Sequence, residues 1–323
     1  MLELSQVSLI IAKRERLVHQ YGTQRPLFQT FVALLALVSS ALGSPCKKTR
    51  DVCKTQSSPN PIAQQYPTHV SGTLNGTTLI VPIPLEQARA LIPKEYTILE
   101  NSYRSLLASF PAGMYPLMVT VAVDHDLKLP AYNVTVGDFS RSGLEFPFLD
   151  ILGNGYSNFK WAATMMITST AQAAISGSEN LGLTIYPSAF EPACDPYAPQ
   201  ADGSMLMHSE SVSPAGAAAK FMTVQTRASP EVVPYPMAFI RNVTNQPAFA
   251  NTSSCDNYLR LYNTTNGAAP HVPQPVSGTV VASLDPFTSN QTWTGVYGWN
   301  YATAFIEPPL PGKCAEMANF IDS

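Results

Sequence analysis

The stretch "NFKWAATMMI", Asn158 to Ile167, carries a lysine where a charge is out of place. From Ile151 to Ser178, Lys160 is the only charged residue, and its neighbours are Phe159 and Trp161. An ordinary lysine has a pKa of ~10.4, so at pH 7 only about one amine in a few thousand is neutral. An amine that attacks a ketone must be neutral. Bringing its pKa to ~7 requires roughly 4 to 5 kcal/mol of bias against the charged form. Burial supplies such bias, and so does a neighbouring cation. The local sequence offers burial but no adjacent cation. The other reading is structural: the stem lies on apolar surface and the head reaches water.

Other catalytic patterns are missing. There is no G-x-S-x-G, H-E-x-x-H, Walker loop or Gly-rich dinucleotide loop. The histidines are dispersed, and "DHD", Asp124 to Asp126, reads as a solvated turn rather than a cation site. No cysteine spacing resembles a zinc site, so no metal is expected.

The elements that must position Lys160 are mostly strands. "VSGTLNGTTLIVPIP" has strand composition with a turn expected at Asn75-Gly76. "LEQARALI" between Pro84 and Pro93 reads as a short helix with Leu85, Ala88 and Leu91/Ile92 on one face. Beyond it "RSLLASF", "PLMVTVAVD", "WAATMMITST", "LGLTIY", "KFMTVQT", "NYLRLY", "SGTVVAS", "TWTGVYGW" and "ATAFIE" all have strand character. One further helix is expected around Ala215 to Lys220. The pattern predicts an α+β chain, predominantly antiparallel β, folded as a barrel or sandwich.

Three segments are expected: an N-terminal extension and signal peptide over 1–43, a polar Pro-rich linker or arm over 44–69, and one domain over 70–323. The apolar run Pro26 to Gly43 has Ala41 and Gly43 at −3 and −1 of a cut before Ser44. Secretion is the expectation; the alternative is a signal anchor that leaves the chain in the membrane. Sequons at Asn75, Asn133, Asn242, Asn251, Asn263 and Asn290 fit the secretory route and predict glycans on exposed turns. Five cysteines then suggest disulfides, Cys46 with Cys53 and Cys194 with Cys255. Charged residues are only 13% of the chain and the net charge is −3. The domain lacks the basic clusters that phosphate binding needs, which argues against nucleic acid as a partner.

Two stretches carry a family resemblance. "LIVPIPLEQARALIPKEYTIL", Leu79 to Leu99, resembles the N-terminal signature of the acetoacetate decarboxylase superfamily. "LEFPFLDILGNGYSNFKWA", Leu144 to Ala162, resembles the segment that delivers that family's Schiff-base lysine. The likeness is to secreted, fungal-type relatives and spans roughly residues 70 to 310. It implies an acetoacetate decarboxylase-like barrel with a few short helices, and a lyase in which Lys160 condenses with a keto acid or related carbonyl compound. It implies Glu145 for proton transfer, and Arg104 and Arg141 as partners of a substrate carboxylate. Such chemistry asks for no cofactor. The bacterial enzymes carry two consecutive lysines, whereas this chain has Phe159-Lys160-Trp161. The alternative is a non-catalytic barrel that binds a small apolar ligand. Oligomeric state is not legible.

Overall fold

The computed structural model describes residues 57–213, 218–251 and 254–317. The described residues all belong to one compact unit, Lys54–Ser323. The signal segment, Cys46 and Cys53 lie outside the described residues.

Nine strands close a mixed barrel. In chain order they are β1 (Val70–Pro84), β2 (Met114–Leu129), β3 (Phe139–Asp150), β4 (Thr164–Thr168), β5 (Thr184–Glu191), β6 (Met205–Ser211), β7 (Phe221–Ala228), β8 (Gln274–Ser283) and β9 (Gln291–Glu307). Each pairs with the next, and β9 pairs back onto β1. Every junction is antiparallel except β4 with β5. A parallel junction cannot be made by a tight turn and needs a crossover. Helix α3 (Gln172–Leu181) supplies it. The other helices are α1 (Leu85–Leu91), α2 (Glu100–Leu106) and α4 (Met237–Thr244).

β1 and β2 are buried almost throughout. The turn expected at Asn75-Gly76 is therefore not there: both residues lie inside a continuous strand, with Asn75 opposite Val123 and Ala302. Glycine serves close approach instead. A Cβ at Gly76 would lie 2.2 Å from the Val121 carbonyl oxygen, and one at Gly298 would lie 2.0 Å from that of Thr78.

β3 leaves the barrel at its far end and enters a second sheet. It pairs there with Thr97–Ile98 and with Phe159–Trp161. Ala248–Phe249 runs parallel to Phe159–Trp161, followed by Ser254–Asp256 and then Gly312–Lys313. A disulfide joins Cys255 to Cys314. This overturns the expected Cys194–Cys255 pairing; Cys194 is itself disulfide-bonded. "RSLLASF" is not a strand: α2 occupies Glu100–Leu106, with Tyr103 fully buried. Within the expected Ala215–Lys220 helix, residues 218–220 are irregular. α3 and α4 were not legible in advance.

Candidate functional site

Lys160 is brought to the centre by a loop wound on one carboxylate. Asp150 accepts hydrogen bonds from the backbone N–H groups of Leu152, Asn154 and Gly155 at 2.7 to 3.3 Å. Asn154 in turn accepts from those of Tyr156 and Ser157. Gly153 and Gly155 hold positive φ of 68° and 80°, which the winding needs. The chain then enters Phe159–Trp161, where the Lys160 N–H donates to the Pro247 carbonyl (3.0 Å).

Opposite this short strand β3 carries a bulge. Phe146 faces Trp161 and Leu149 faces Phe159, so Pro147 and Phe148 together oppose Lys160. Phe148 sits at φ 62°, an unusual conformation for a bulky residue. Three hydrogen bonds hold it. The Leu99 N–H donates to the Phe148 carbonyl (2.8 Å), the Phe148 N–H donates to Gln246 Oε1 (2.7 Å), and the Tyr115 hydroxyl donates to the Pro147 carbonyl. The pleat then points Lys160 and Glu145 to one face, and Phe146 and Trp161, 5.4 Å apart, to the other.

On that face lies a buried ionic cluster. Lys160 Nζ is 2.6 Å from Glu145 Oε2, with both side chains almost wholly buried. Arg141 lies on the same face of β3 as Glu145, and its Nε is 2.7 Å from Asp124 Oδ2. Its guanidinium stacks over the Tyr258 ring at 4.8 Å. Arg260 is the largest fully buried side chain. Its Nη1 donates to Thr78 Oγ1 (3.1 Å) and to the Tyr301 hydroxyl. The Tyr262 hydroxyl donates to Tyr301 (3.2 Å). Among the described residues, Arg260 Nε and Nη2 and Arg141 Nη2 have no hydrogen-bond partner. No acidic side chain of the described residues forms an ion pair with Arg260.

The fields sort the groups. Burial pushes the Lys160 amine below its ordinary pKa; Glu145 opposes, and Arg260 and Arg141 reinforce the fall. Burial alone would raise Glu145, but Lys160, Arg260 and Arg141 outweigh it and the group lies below the usual carboxylate range. Both partners thus move down. For Lys160 burial is the larger cause; the positive charge of Arg260 and Arg141 acts on both groups in the same sense, favouring the less protonated form of either. Asp256 differs. Burial dominates there, against Lys160 and Arg141, and its carboxyl is pushed up to about 6. Burial, and then Asp256 beside it, push Glu307 well above the usual range.

Of the residues expected from sequence, Lys160, Glu145 and Arg141 come together. Arg104 does not join them: on α2 its Nη1 donates to the Phe110 carbonyl (3.2 Å), and its Nε is 4.0 Å from Glu100. The second cation comes instead from Arg260, a hundred residues further on. Its signal was available. In "DNYLRLY", Asp256, Tyr258, Arg260 and Tyr262 alternate with period two, a polar stripe on one face of an extended segment.

Asp124 and His125 are not in a turn but buried inside β2. His125 Nε2 is 2.5 Å from Ser57 Oγ and its Nδ1 is 2.8 Å from Asp126 Oδ2. This connectivity is that of a hydrolase triad. The imidazole has no exposed surface, however. Asn60 and Asn266 bind the same arm through Asp126, Ser58 and Pro59. The three groups serve as a clasp that pins residues 57–69 to the barrel. Among the described residues no group of three His, Cys, Asp or Glu side chains could hold a metal ion.

The fold and the site together define a mixed β-barrel protein with a buried amine–carboxylate centre. No protein-family model matches the chain, and no curated protein does. Solved structures similar to it include acetoacetate decarboxylase from Legionella pneumophila, at 11% identity over 76% of this chain and 88% of that one, with a TM-score of 0.42. Another is the enduracididine biosynthesis enzyme MppR complexed with pyruvate, at 10% identity over 84% and 95%, with a TM-score of 0.39. A third is an acetoacetate decarboxylase-like enzyme from Sphingomonas wittichii RW1, at 8% identity over 76% and 93%, with a TM-score of 0.38.

Proposed function

We propose that the chain is a lyase that acts on a keto acid or related carbonyl compound through a Schiff base at Lys160. The observation that carries this reading is the Lys160–Glu145 pair, closed to water and set beside two guanidinium groups. Glu145 takes the ammonium proton at 2.6 Å and frees the amine. The amine adds to the carbonyl carbon, water leaves, and an iminium forms. The electron pair of the bond broken in the substrate flows to the iminium nitrogen. A 3-oxo acid then loses carbon dioxide to give an enamine, which is protonated and hydrolysed. The open Nε and Nη2 of Arg260, and Nη2 of Arg141, suit a substrate carboxylate. The test is borohydride reduction in the presence of acetoacetate and longer 3-oxo acids. A mass shift on the Lys160 peptide is expected. A panel of carbonyl compounds that leaves no adduct overturns the reading.

A non-catalytic barrel that binds a small ligand is the second reading. The ion pair favours it in one respect, since an ammonium bound to a carboxylate at 2.6 Å is already occupied. On that reading Lys160 keeps its charge near neutrality and traps nothing.

The chain is also proposed to be a secreted glycoprotein. The Cys255–Cys314 disulfide supports an oxidising compartment. Asn133, Asn251, Asn263 and Asn290 are exposed, and Asn242 is half-buried on α4. Asn75 is buried in β1, where a glycan has no room. Enzymatic deglycosylation of the secreted chain should convert asparagine to aspartate at exposed sequons and never at Asn75. A chain retained in the membrane, with residues before Ser44 intact, overturns the cleaved signal.

A further inference from the structure

The ionic cluster contains two carboxyl groups that the chemistry above does not use. Asp256 is buried in the strand Ser254–Asp256, and Glu307 is the last residue of β9. Their side chains are hydrogen-bonded to each other. Two carboxyl groups form such a bond only when one of them carries a proton.

Their placement has a direction. Ala248 is paired on one side with Lys160 and on the other with Asp256. Residues in register on adjacent strands share a face, so Lys160 and Asp256 flank the small Ala248 side chain on one face of the sheet. Two strand spacings, about 9.5 Å, separate their Cα atoms. Glu307, in hydrogen-bonding contact with Asp256, is only partly buried, at the end of its strand. Exposure thus rises from Lys160 through Asp256 to Glu307.

We propose that Asp256 and Glu307 form a carboxyl pair sharing one proton, which carries protons between the outer edge of β9 and the Lys160 site. This rests on the Schiff-base reading above. Asp256 gives its proton to the hydroxyl oxygen of the carbinolamine. The C–O bond breaks, water leaves, and the lone pair on the Lys160 nitrogen closes the iminium. Both members are then carboxylates; Glu307 takes a proton from solvent and passes it to Asp256, which restores the shared proton. The same donor serves the enamine carbon later in the cycle.

The division of roles follows from the environments. Glu145 is held ionised by Lys160 and the two guanidiniums, so it accepts protons and has none to give near neutrality. Burial pushes Asp256 up to about 6, so it keeps a proton to higher pH than Glu145 does. Two carboxyl groups whose environments drive them apart are the usual sign of a base and an acid. The groups facing the pair are Lys160, Arg141 and Glu145 on Asp256, and Arg141, Asp124 and Tyr258 on Glu307.

The test combines infrared spectroscopy with adduct trapping, both on the full domain. Wild type should show a protonated-carboxyl band at pH 7 that disappears in Asp256→Asn and in Glu307→Gln. With acetoacetate and borohydride, Asp256→Asn should form the Lys160 adduct at least tenfold more slowly than wild type. Glu307→Gln should move the pH at which the adduct rate falls. A wild type without that band at pH 7 overturns the shared proton, and needs no variant to do so. Asp256→Asn trapping at the wild-type rate, with the band lost, overturns the relay and leaves the Schiff base standing. A wild type that traps nothing, band present or not, overturns the Schiff-base reading and the relay's catalytic role with it.

Discussion

Arg260 carries its charge with hydroxyl groups for company. Thr78 and Tyr301 accept from Nη1, and the rest of the guanidinium is unpartnered among the described residues. A buried guanidinium cannot shed its proton, so its field falls on its neighbours. Lys160 feels it as a downward push. Arg260→Met should therefore raise the Lys160 pKa, and each unit of rise removes about nine-tenths of the neutral amine at a given pH below it. The adduct rate near neutrality should fall, and its pH profile should shift upward. An unchanged profile would show that burial alone governs the amine. Lys160→Met poses the converse case. It leaves Glu145 buried without its partner, which costs roughly 3 to 5 kcal/mol when a buried pair is broken. Adding Glu145→Gln should recover most of that loss in a thermal melt. Lys160 was legible because one charge in an apolar run needs a reason. The polar stripe that holds Asp256 and Arg260 is visible in the sequence too, but its relation to Lys160 is not, because that is made by pairings through Ala248 and β9 rather than by nearness in sequence.

Among the elements, the bulge in β3 does most to aim the site. Its positive-φ Phe148 has a backbone N–H that donates to Gln246 Oε1 at 2.7 Å, deep in the core. Gln246→Leu would keep the volume and strand that N–H. The loss should be about 1 to 3 kcal/mol, the desolvation penalty of one unpaired buried donor. The Lys160 adduct rate should fall with it, because the bulge faces Lys160 across the sheet. Denaturant melts and trapping on the same variant separate the two effects. α1 was readable from Pro84, Pro93 and its apolar spacing. α2 was not: the apolar run "SLLASF" looks like a strand, whereas Tyr103 is fully buried and Glu100 pairs with Arg89 at 2.7 Å. α4 buries Phe239, Ile240, Val243 and Thr244 on one face, but with eight residues it is too short for that period to stand out in the sequence. No local signal revealed the disulfide. Cys255 and Cys314 are 59 residues apart and meet only because Ser254–Asp256 pairs with Gly312–Lys313.

For the whole molecule, the strand content and Gly- and Pro-bounded runs were enough to expect a largely antiparallel barrel, and the ring of nine strands has that form. The one parallel junction escaped notice because α3 is short and weakly patterned. A closed barrel with an ionic centre has a stability that depends on pH in a sense that can be worked out. The Asp256 carboxyl lies at about 6 in the folded chain, above the ordinary 3.8. Between those values the native state binds more protons than the unfolded one. This group's contribution is full below about 4 and is lost as pH rises through 6. The whole contribution is on the order of 3 kcal/mol. Glu145 acts in the opposite sense: its folded pKa is lowered, so its contribution is present above the ordinary 4.5 and is lost as pH falls through the folded value. The two overlap, and the stability of wild type should peak on the acid side of neutrality rather than at pH 7. Asp256→Asn removes only the first contribution. The difference in melting temperature between wild type and Asp256→Asn should favour wild type most near pH 4 and shrink as pH rises past 6. A difference that is flat from pH 4 to 7 would mean that Asp256 titrates alike in the folded and unfolded chain, and the acid of the proposed pair would then lie elsewhere.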